Sequence, residues 1–244
     1  MRNFSIRSVA DSLAKENADL KMQLEASKYI ATYESGAVSF PLDTSTIRPD
    51  TAQKKDVIQK FSYVAASVIN NSIARRENYM TLNRGKKHGI EPGMGVVSSN
   101  GVVGIVRNVT EHYAQVMSIL NEQINVSAMI RRTRYFGSLK WSIDRPNPKY
   151  MRLESIPKHA ELVVGDTVMT SGFSDIFPGE LRIGRVENFK IENGSNFYTI
   201  DVALDNDIAN IQYVYVVKSL MLEELKQVNR DPLPKKKKFG ARRF

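Results

Sequence analysis

Apolar side chains recur with a heptad period near the N-terminus of the chain. Between residues 4 and 33 good helix formers dominate, and neither Pro nor Gly occurs before Gly36. The two core positions of each heptad form a mainly apolar seam, which predicts a parallel coiled-coil dimer whose register is fixed by Asn17. The same pattern also fits an amphipathic helix that packs on its own domain, with Asn17 at the edge of the contact. The predicted seam consists of Ala10, Leu13, Asn17, Leu20 and Leu24.

The heptad pattern ends in a segment of different composition. Gly36, Pro41 and Pro49 interrupt the periodicity, and Ser, Thr and Asp are frequent around them. Such a segment is typical of a connection rather than of a packed element. We therefore expect a coiled-coil helix over residues 1–36 and a linker over residues 37–56.

From Val57 onward, short β-branched and aromatic runs alternate with turn residues. Asn100-Gly101 lies between two such runs and predicts a hairpin with a type I′ turn, which requires a positive φ at both central residues. Asn193-Gly194 marks a second hairpin tip. About ten or more short strands at this spacing indicate barrels or a sandwich. Strands do not alternate with helices, so we do not expect a doubly wound nucleotide-binding fold.

The charge of the chain is concentrated at its C-terminus. A short helix is predicted near residues 219–230 and is stopped by Pro232, after which the chain is basic and has the composition of a disordered tail. The formal net charge is +9, and the tail supplies most of it, so the rest of the chain is nearly balanced. The basic tail residues are Lys235, Lys236, Lys237, Lys238, Arg242 and Arg243.

The composition excludes several kinds of site. The chain has no cysteine and three isolated histidines, so disulfides and Cys-based zinc sites are excluded and neither a metal nor a cofactor is expected. No apolar run reaches the ~20 residues that cross a bilayer as a helix. Because the chain opens almost within the heptad register, we expect an anchoring segment to be missing from its N-terminus.

Two chemical alternatives come from short motifs. Ser171 lies beside a glycine and three histidines occur elsewhere, which suggests a trypsin-like serine protease, but the Thr-Ser-Gly context differs from the Gly-Asp-Ser-Gly of that family. The basic and aromatic run 131–136, with Trp141 nearby, suggests nucleic-acid binding. The simpler interpretations are a turn for Ser171 and an exposed turn leading into a strand for the basic run. We favour both of these, so we expect no specific nucleic acid as a partner.

Closely spaced glycines dominate the C-terminal half of the β region. They predict tight turns between short strands rather than a phosphate-binding helix. The segments are Gly165-Asp166-Thr167-Val168-Met169-Thr170-Ser171-Gly172, then Phe177-Pro178-Gly179, then Gly184-Arg185-Val186. In this order and spacing they resemble the signature of the rod shape-determining protein MreC family. Further similar stretches occur around Tyr79–Gly85, Gly93–Val96, Gly101–Val106 and Val214–Val217.

The resemblance implies a mainly β fold in which a coiled-coil helix is followed by two small β-barrels. It implies a bitopic inner-membrane protein whose bulk lies in the periplasm, with the anchor segment absent from this chain. The family forms homodimers and higher self-assemblies and has no enzymatic activity of its own. Its partners are the elongation transpeptidase, which is a class B penicillin-binding protein, and MreD with other membrane proteins of the elongation complex. The expected function is therefore a scaffold that maintains rod cell shape by positioning peptidoglycan synthesis.

The barrels can be assigned to segments of the chain on this basis. We expect residues 57–120 and 197–218 to form the first barrel and residues 121–196 to form the second, followed by a short helix and tail over 219–244. Phe173 and Phe177 lie between glycines and are the candidate partner surface, although both residues would also fit as plugs of a barrel end. The alternative function is a peptidoglycan- or nucleic-acid-binding β module without a scaffold role.

Overall fold

A computed structural model of the protein describes residues 9–21, 60–142 and 147–221. Within these ranges the protein consists of one N-terminal α-helix, α1 (residues 9–21), and two closed six-stranded β-barrels. This confirms the expected mainly β architecture with two barrels. Leu24, the predicted linker and most of the predicted C-terminal helix and tail lie outside the described residues.

The first barrel combines strands from both ends of the β region. Its strands are β1 Phe61–Asn71, β2 Tyr79–Leu82, β3 Gly95–Val97, β4 Val102–Val109, β5 Ala114–Ser118 and β12 Tyr213–Ser219. They are arranged as β1-β12-β3-β4-β5-β2, and neighbouring strands are antiparallel. In β5 the buried residues Ala114, Val116 and Ser118 alternate with half-buried ones, because successive side chains of a strand point to opposite faces.

The second barrel occupies the middle of the chain. Its strands are β6 Asn125–Ile130, β7 Phe136–Lys140, β8 Tyr150–Pro157, β9 Thr167–Thr170, β10 Arg182–Ile191 and β11 Phe197–Leu204. They close in the order β10-β11-β8-β7-β6-β9, again with antiparallel neighbours. In β8, Ser155 has a φ of 69°, and the alternation shifts there by one residue. As a result Met151, Leu153 and Ile156 are all buried.

The sequence analysis assigned all of residues 197–218 to the first barrel, but only part of this segment belongs to it. That assignment is wrong for β11, which pairs with β10 and β8 of the second barrel. Only β12 returns to the first barrel, where it lies between β1 and β3. The reason is local, since β10 and β11 are joined by the Gly194 hairpin and pair along their length. The chain returns to the first barrel only afterwards, through the 3₁₀ turn Ile208–Asn210.

The Asn100-Gly101 hairpin is present, but its turn differs from the expected one. Gly101 has a φ of 140°, whereas Asn100 is not among the described non-glycine residues with positive φ, so the turn is not type I′. The connection is longer, and Ser98 N donates to Gly101 O at 2.8 Å. The Ser98 hydroxyl accepts from Asn100 N at 2.9 Å and also bonds to Asn206. A contact across the molecule therefore shapes this turn.

The two barrels meet at a tight joint. A Cβ on Gly95 of β3 would lie 2.5 Å from Ile176 O and 2.8 Å from a ring carbon of Phe177, so only glycine allows this approach. Asn206, which follows β11, is buried and donates to Val102 O of the first barrel at 3.0 Å. Buried side-chain hydrogen bonds and close packing of this kind hold the two barrels against each other.

Candidate functional site

The predicted dimer seam lies on α1, except for Leu24, which is not described. Leu13 and Leu20 are each 53% exposed, and Val9 is exposed to a similar degree. These three side chains are spaced by four and seven residues and therefore share one face of the helix. We call Val9, Leu13 and Leu20 the α1 stripe. It is bordered by the two remaining seam residues, Ala10 and Asn17.

The other side of α1 packs on the first barrel. Ala14 and Ala18 are buried, and both line a cleft between α1 and β1. The Lys21 ammonium lies 5.3 Å from the ring centroid of Tyr215. Burial raises the pKa of the Tyr215 hydroxyl, and a hydrogen bond with Asn17 partly opposes this shift. The helix thus packs on its own domain, as one of the two alternatives predicted, and the described part of the chain leaves the α1 stripe exposed.

Asp166 is a buried residue of the signature turns, and it fixes the connection between β8 and β9. Its carboxylate accepts from Arg132 Nε at 2.8 Å and Nη2 at 2.9 Å, and from Val163 N at 3.0 Å. The hydrogen bond with Arg132 lowers the pKa of the Asp166 carboxyl, although burial alone would raise it. Gly165 precedes it with a φ of 91°. These two residues and Arg132 therefore have a structural role.

Four signature residues shape the loop from residue 171 to residue 181, which we call the 171–181 loop. Thr170 Oγ1 donates to Pro178 O at 2.7 Å and accepts from Leu181 N at 2.9 Å. Gly172 and Gly179 lie against each other, and a Cβ on Gly172 would be 3.3 Å from Gly179 Cα. The loop is therefore closed at its base by hydrogen bonds and by a glycine contact.

Ser171 also serves this loop. Its hydroxyl donates to Ser127 Oγ at 2.8 Å and accepts from Phe173 N at 3.2 Å. The His159 ring packs edge-on against Tyr135, with centroids 5.5 Å apart. The other two histidines lie in the first barrel, and no histidine is among the hydrogen-bond partners of Ser171 in the described ranges. A serine protease needs a serine that is hydrogen-bonded to a histidine, so the local hydrogen bonds of Ser171 favour the turn interpretation.

Phe173 and Phe177 have opposite environments. Phe173 is 72% exposed, and its ring packs edge-on against Phe136 of β7, with centroids 4.6 Å apart. Phe136 is also exposed, so the two rings form one aromatic surface, the Phe136–Phe173 pair. Phe177 is only 3% exposed. The expectation that Phe177 is part of a surface is wrong, because its ring fills the joint against Gly95.

The basic and aromatic run 131–136 is a turn that leads into β7. Arg134 pairs with Glu180 at 3.2 Å, and Arg132 pairs with Asp166 as described above. Trp141 is buried, and its Nε1 donates to Asn147 O at 3.4 Å. Two of the three arginines are thus in ion pairs and the indole is not available for stacking on bases, which favours the turn interpretation over nucleic-acid binding.

Gly184 is the last signature residue, and it depends on a contact across strands. So do two residues that the sequence analysis missed, Phe136 and Asn206. Gly184 lies in β10, where a Cβ would be 2.0 Å from Ala203 O of β11. Phe136 entered the sequence analysis only as part of the basic and aromatic run 131–136. Asn206 had no local signal because its partners Ser98 and Val102 are more than a hundred residues away. A buried asparagine between two strands becomes recognisable only when the barrels are assembled.

Two further observations concern the described part of the chain. No helix within residues 9–21, 60–142 and 147–221 is long and apolar enough to cross a membrane. In the same ranges, no group of three or more His, Asp or Glu side chains is arranged to hold a metal ion.

Comparisons with known proteins give a consistent result. The family model for the barrel core of the rod shape-determining protein MreC matches residues 68–218. The cell shape-determining protein MreC of Listeria monocytogenes is 24% identical over 206 residues, which cover 83% of this chain and 68% of that protein.

Solved structures share the fold. An MreC structure from Listeria monocytogenes superimposes with a TM-score of 0.61 at 20% identity and covers 90% of this chain and 96% of that one. The MreC of Helicobacter pylori, solved in a complex with the penicillin-binding protein PBP2, gives a TM-score of 0.52 at 18% identity over 66% of this chain and 99% of that one. Since the family model alone covers more than half of the residues, the chain belongs to the family of rod shape-determining proteins MreC.

Proposed function

We propose that this chain is a non-enzymatic scaffold on the periplasmic side of the bacterial inner membrane. It self-associates and positions the peptidoglycan elongation machinery, and in this way maintains rod cell shape. Membership of the MreC family supports the role in cell shape. The observation that carries the proposal is the Phe136–Phe173 pair, two exposed aromatic rings held by a braced loop and a barrel strand.

The partner assigned to this pair is the class B penicillin-binding protein of elongation. An MreC from Helicobacter pylori forms a complex with PBP2, which makes the equivalent enzyme the first candidate here. Exposed aromatic side chains are enriched among the residues that dominate binding energy at interfaces. The loop that carries Phe173 is closed at its base, so little ordering entropy is lost when a partner binds. MreD and other membrane proteins of the elongation complex would bind elsewhere on the scaffold.

Self-association is assigned to the α1 stripe. Its side chains lie on the face of the helix that the first barrel does not cover. A second copy of α1 in parallel would bury the stripe as a coiled-coil seam, with Asn17 at its edge because that side chain bonds to Tyr215 of the first barrel. The helix would then fix the spacing of two barrel pairs, as a scaffold requires.

A binding titration tests the partner assignment. We expect the chain to bind the purified ectodomain of its own class B penicillin-binding protein, and we expect Phe173→Ala and Phe136→Ala each to weaken this binding about tenfold or more. The physical reason is the loss of buried aromatic area at the centre of the contact. Isothermal titration calorimetry at two salt concentrations would measure the affinity.

The matched control is Phe197→Ala. Phe197 is an exposed phenylalanine on β11 of the same barrel but is not part of the aromatic pair. We expect this variant to bind like the wild type. Unchanged affinity in the folded Phe173 and Phe136 variants would show that the surface is wrong, and the absence of any binding by the wild type would contradict the partner itself.

A further inference from the structure

Two loops at one end of the first barrel are held together as a unit. The turn after β2 contacts the tip between β4 and β5, where Lys86 N donates to Thr110 O at 2.9 Å and Lys87 N donates to Glu111 O at 3.2 Å. A Cβ on Gly85 would lie 2.3 Å from Thr110 O, so only glycine allows the two loops to approach this closely. The side chains that these loops carry are therefore presented in fixed relative positions.

These loops concentrate positive charge. The Lys87 ammonium lies 3.3 Å from Nε2 of His112. An ammonium group only donates, so the His112 nitrogen accepts and the ring is neutral in this arrangement. Glu111 is the one acidic residue in the sequence of the two loops, residues 84–88 and 110–113. We call this surface the basic end, and its residues are Arg84, Lys86, Lys87, His88 and His112.

The surroundings do not neutralise the basic end fully. Arg84 lines the cleft beneath α1 together with Asp11, Asp19 and Lys15, so the helix adds both signs of charge there. Burial and then the charges of Arg84, His112 and Lys87 lower the pKa of the His88 imidazole. The charges that act on His88 are thus mainly positive, and an anion placed beside them would be attracted.

An exposed aromatic ring lies in the same loop tip. Tyr113 follows His112 and is 52% exposed. A tyrosine presents an apolar body and a polar hydroxyl, which suits the boundary between lipid headgroups and acyl chains. The combination of clustered lysine, arginine and histidine with one exposed tyrosine is what a lipid surface of negative charge would recognise.

We propose that the basic end binds the phosphate groups of an anionic lipid bilayer surface, with Tyr113 at the headgroup level. A lipid phosphate would accept a hydrogen bond from the Lys87 ammonium, in place of the contact between Lys87 and His112. This inference does not depend on the proposed penicillin-binding partner.

The test is sedimentation of the full chain with lipid vesicles. One set contains phosphatidylglycerol in phosphatidylcholine, and the other contains phosphatidylcholine alone. We expect binding only to the anionic vesicles, and weaker binding as the salt concentration rises, because salt screens the attraction between the basic end and the phosphates.

The deciding variant is Lys87→Gln/His112→Gln. We expect it to bind anionic vesicles about fivefold more weakly, since the Lys87 ammonium is the charge that is removed and one basic residue near a charged surface contributes about fivefold. Both side chains are exposed, so circular dichroism should show an unchanged fold. The matched control Lys158→Gln/His159→Gln removes the same two residue types from an exposed position on the second barrel and should bind like the wild type.

Three outcomes would overturn the inference. One is wild-type affinity in the Lys87→Gln/His112→Gln variant, and another is an equal loss in the control. The third is full competition by soluble glycerol phosphate at the same headgroup concentration, which would assign the basic end to a free phosphate compound instead of a membrane.

Discussion

At the scale of single residues, Asp166 is the most constrained side chain of the signature turns. Its side chain is 7% exposed, whereas that of its partner Arg132 is 46% exposed. Such a pair contributes little net stability compared with apolar packing, but removing one partner leaves a buried charge or polar group unsatisfied. The pair also joins the turn before β9 to the turn after β6, so it fixes one end of the second barrel.

Replacing Asp166 by Asn tests this role. We expect Asp166→Asn to lower the free energy of unfolding by about 1–3 kcal/mol at neutral pH, because Asn accepts only part of the bidentate hydrogen bond. Arg132 lowers the folded-state pKa of Asp166, so the stabilisation is complete above the unfolded-state pKa of about 3.9 and is lost as the pH falls through the folded-state value. Urea unfolding of the wild type and of Asp166→Asn over a pH series would measure this difference in the free energy of unfolding.

The control for this experiment is Asp175→Asn, since Asp175 is exposed in the 171–181 loop. It should change the free energy of unfolding by no more than about 0.5 kcal/mol. If the difference between the wild type and Asp166→Asn stayed constant down to the lowest pH, the carboxylate would not be the stabilising group.

At the scale of elements, closure of both barrels decides where partners can bind. Within the described residues every strand pairs with two neighbours over part of its length, so free edge is limited to overhanging ends such as residues 188–191 of β10, which pair with β11 alone. Loops and α1 therefore supply most of the surface that is open to recognition. The 171–181 loop is a clear case, because it places Phe173 on the surface and Phe177 in the joint between the barrels.

These two phenylalanines allow a direct comparison within one loop. We expect Phe177→Ala to lower the free energy of unfolding by about 3–5 kcal/mol, because it leaves a cavity at the joint. Phe173→Ala should change it by no more than about 0.5 kcal/mol, because the ring is largely in water already. Chemical denaturation followed by tryptophan fluorescence would measure both. Similar values for the two variants would contradict the placement of Phe177.

At the scale of the whole molecule, the order of strands links the two barrels twice. The chain leaves the first barrel after β5, builds the second barrel and returns as β12. The Asn206 hydrogen bonds and the Phe177 contact then close the joint. Because α1 packs on the first barrel and the Phe136–Phe173 pair belongs to the second, the joint sets the distance between the proposed self-association surface and the proposed partner surface.

Self-association is tested at this scale. We expect Leu13→Asp/Leu20→Asp to weaken dimerisation about tenfold or more, because two charges would enter the seam. Ala14 and Ala18 still hold α1 on the barrel in this variant. Sedimentation velocity over a concentration series would measure the dimer constant.

The control is Val163→Asp/Val164→Asp, which places two charges at exposed apolar positions of the second barrel. We expect this variant to dimerise like the wild type. An equal effect of both double variants, or a wild-type chain that stays monomeric at all concentrations, would contradict the assignment to α1.

Local patterns predicted much of this fold. The hairpin tip expected at Asn193-Gly194 lies where the structure joins β10 to β11, and Gly194 has a φ of 80° there. Alternating burial, β-branched runs and glycine turns are local, so a strand can be recognised from its own residues. The barrel to which β11 belongs, the environment of Phe177 and the turn at Asn100 could not be predicted in this way, because each depends on a contact with a distant segment.

The sequence by itself determined the order of elements, the glycine turns and, through its motifs, the resemblance to a family. These features follow from backbone conformations and side-chain periodicities that a few neighbouring residues fix. Only the tertiary structure decided which aromatic rings are exposed, which face of α1 is free and which basic side chains share one end of a barrel. These features depend on strand pairing and on contacts such as that of Asn206 with Ser98. Such contacts bring distant residues together and produce no pattern in the sequence around either residue.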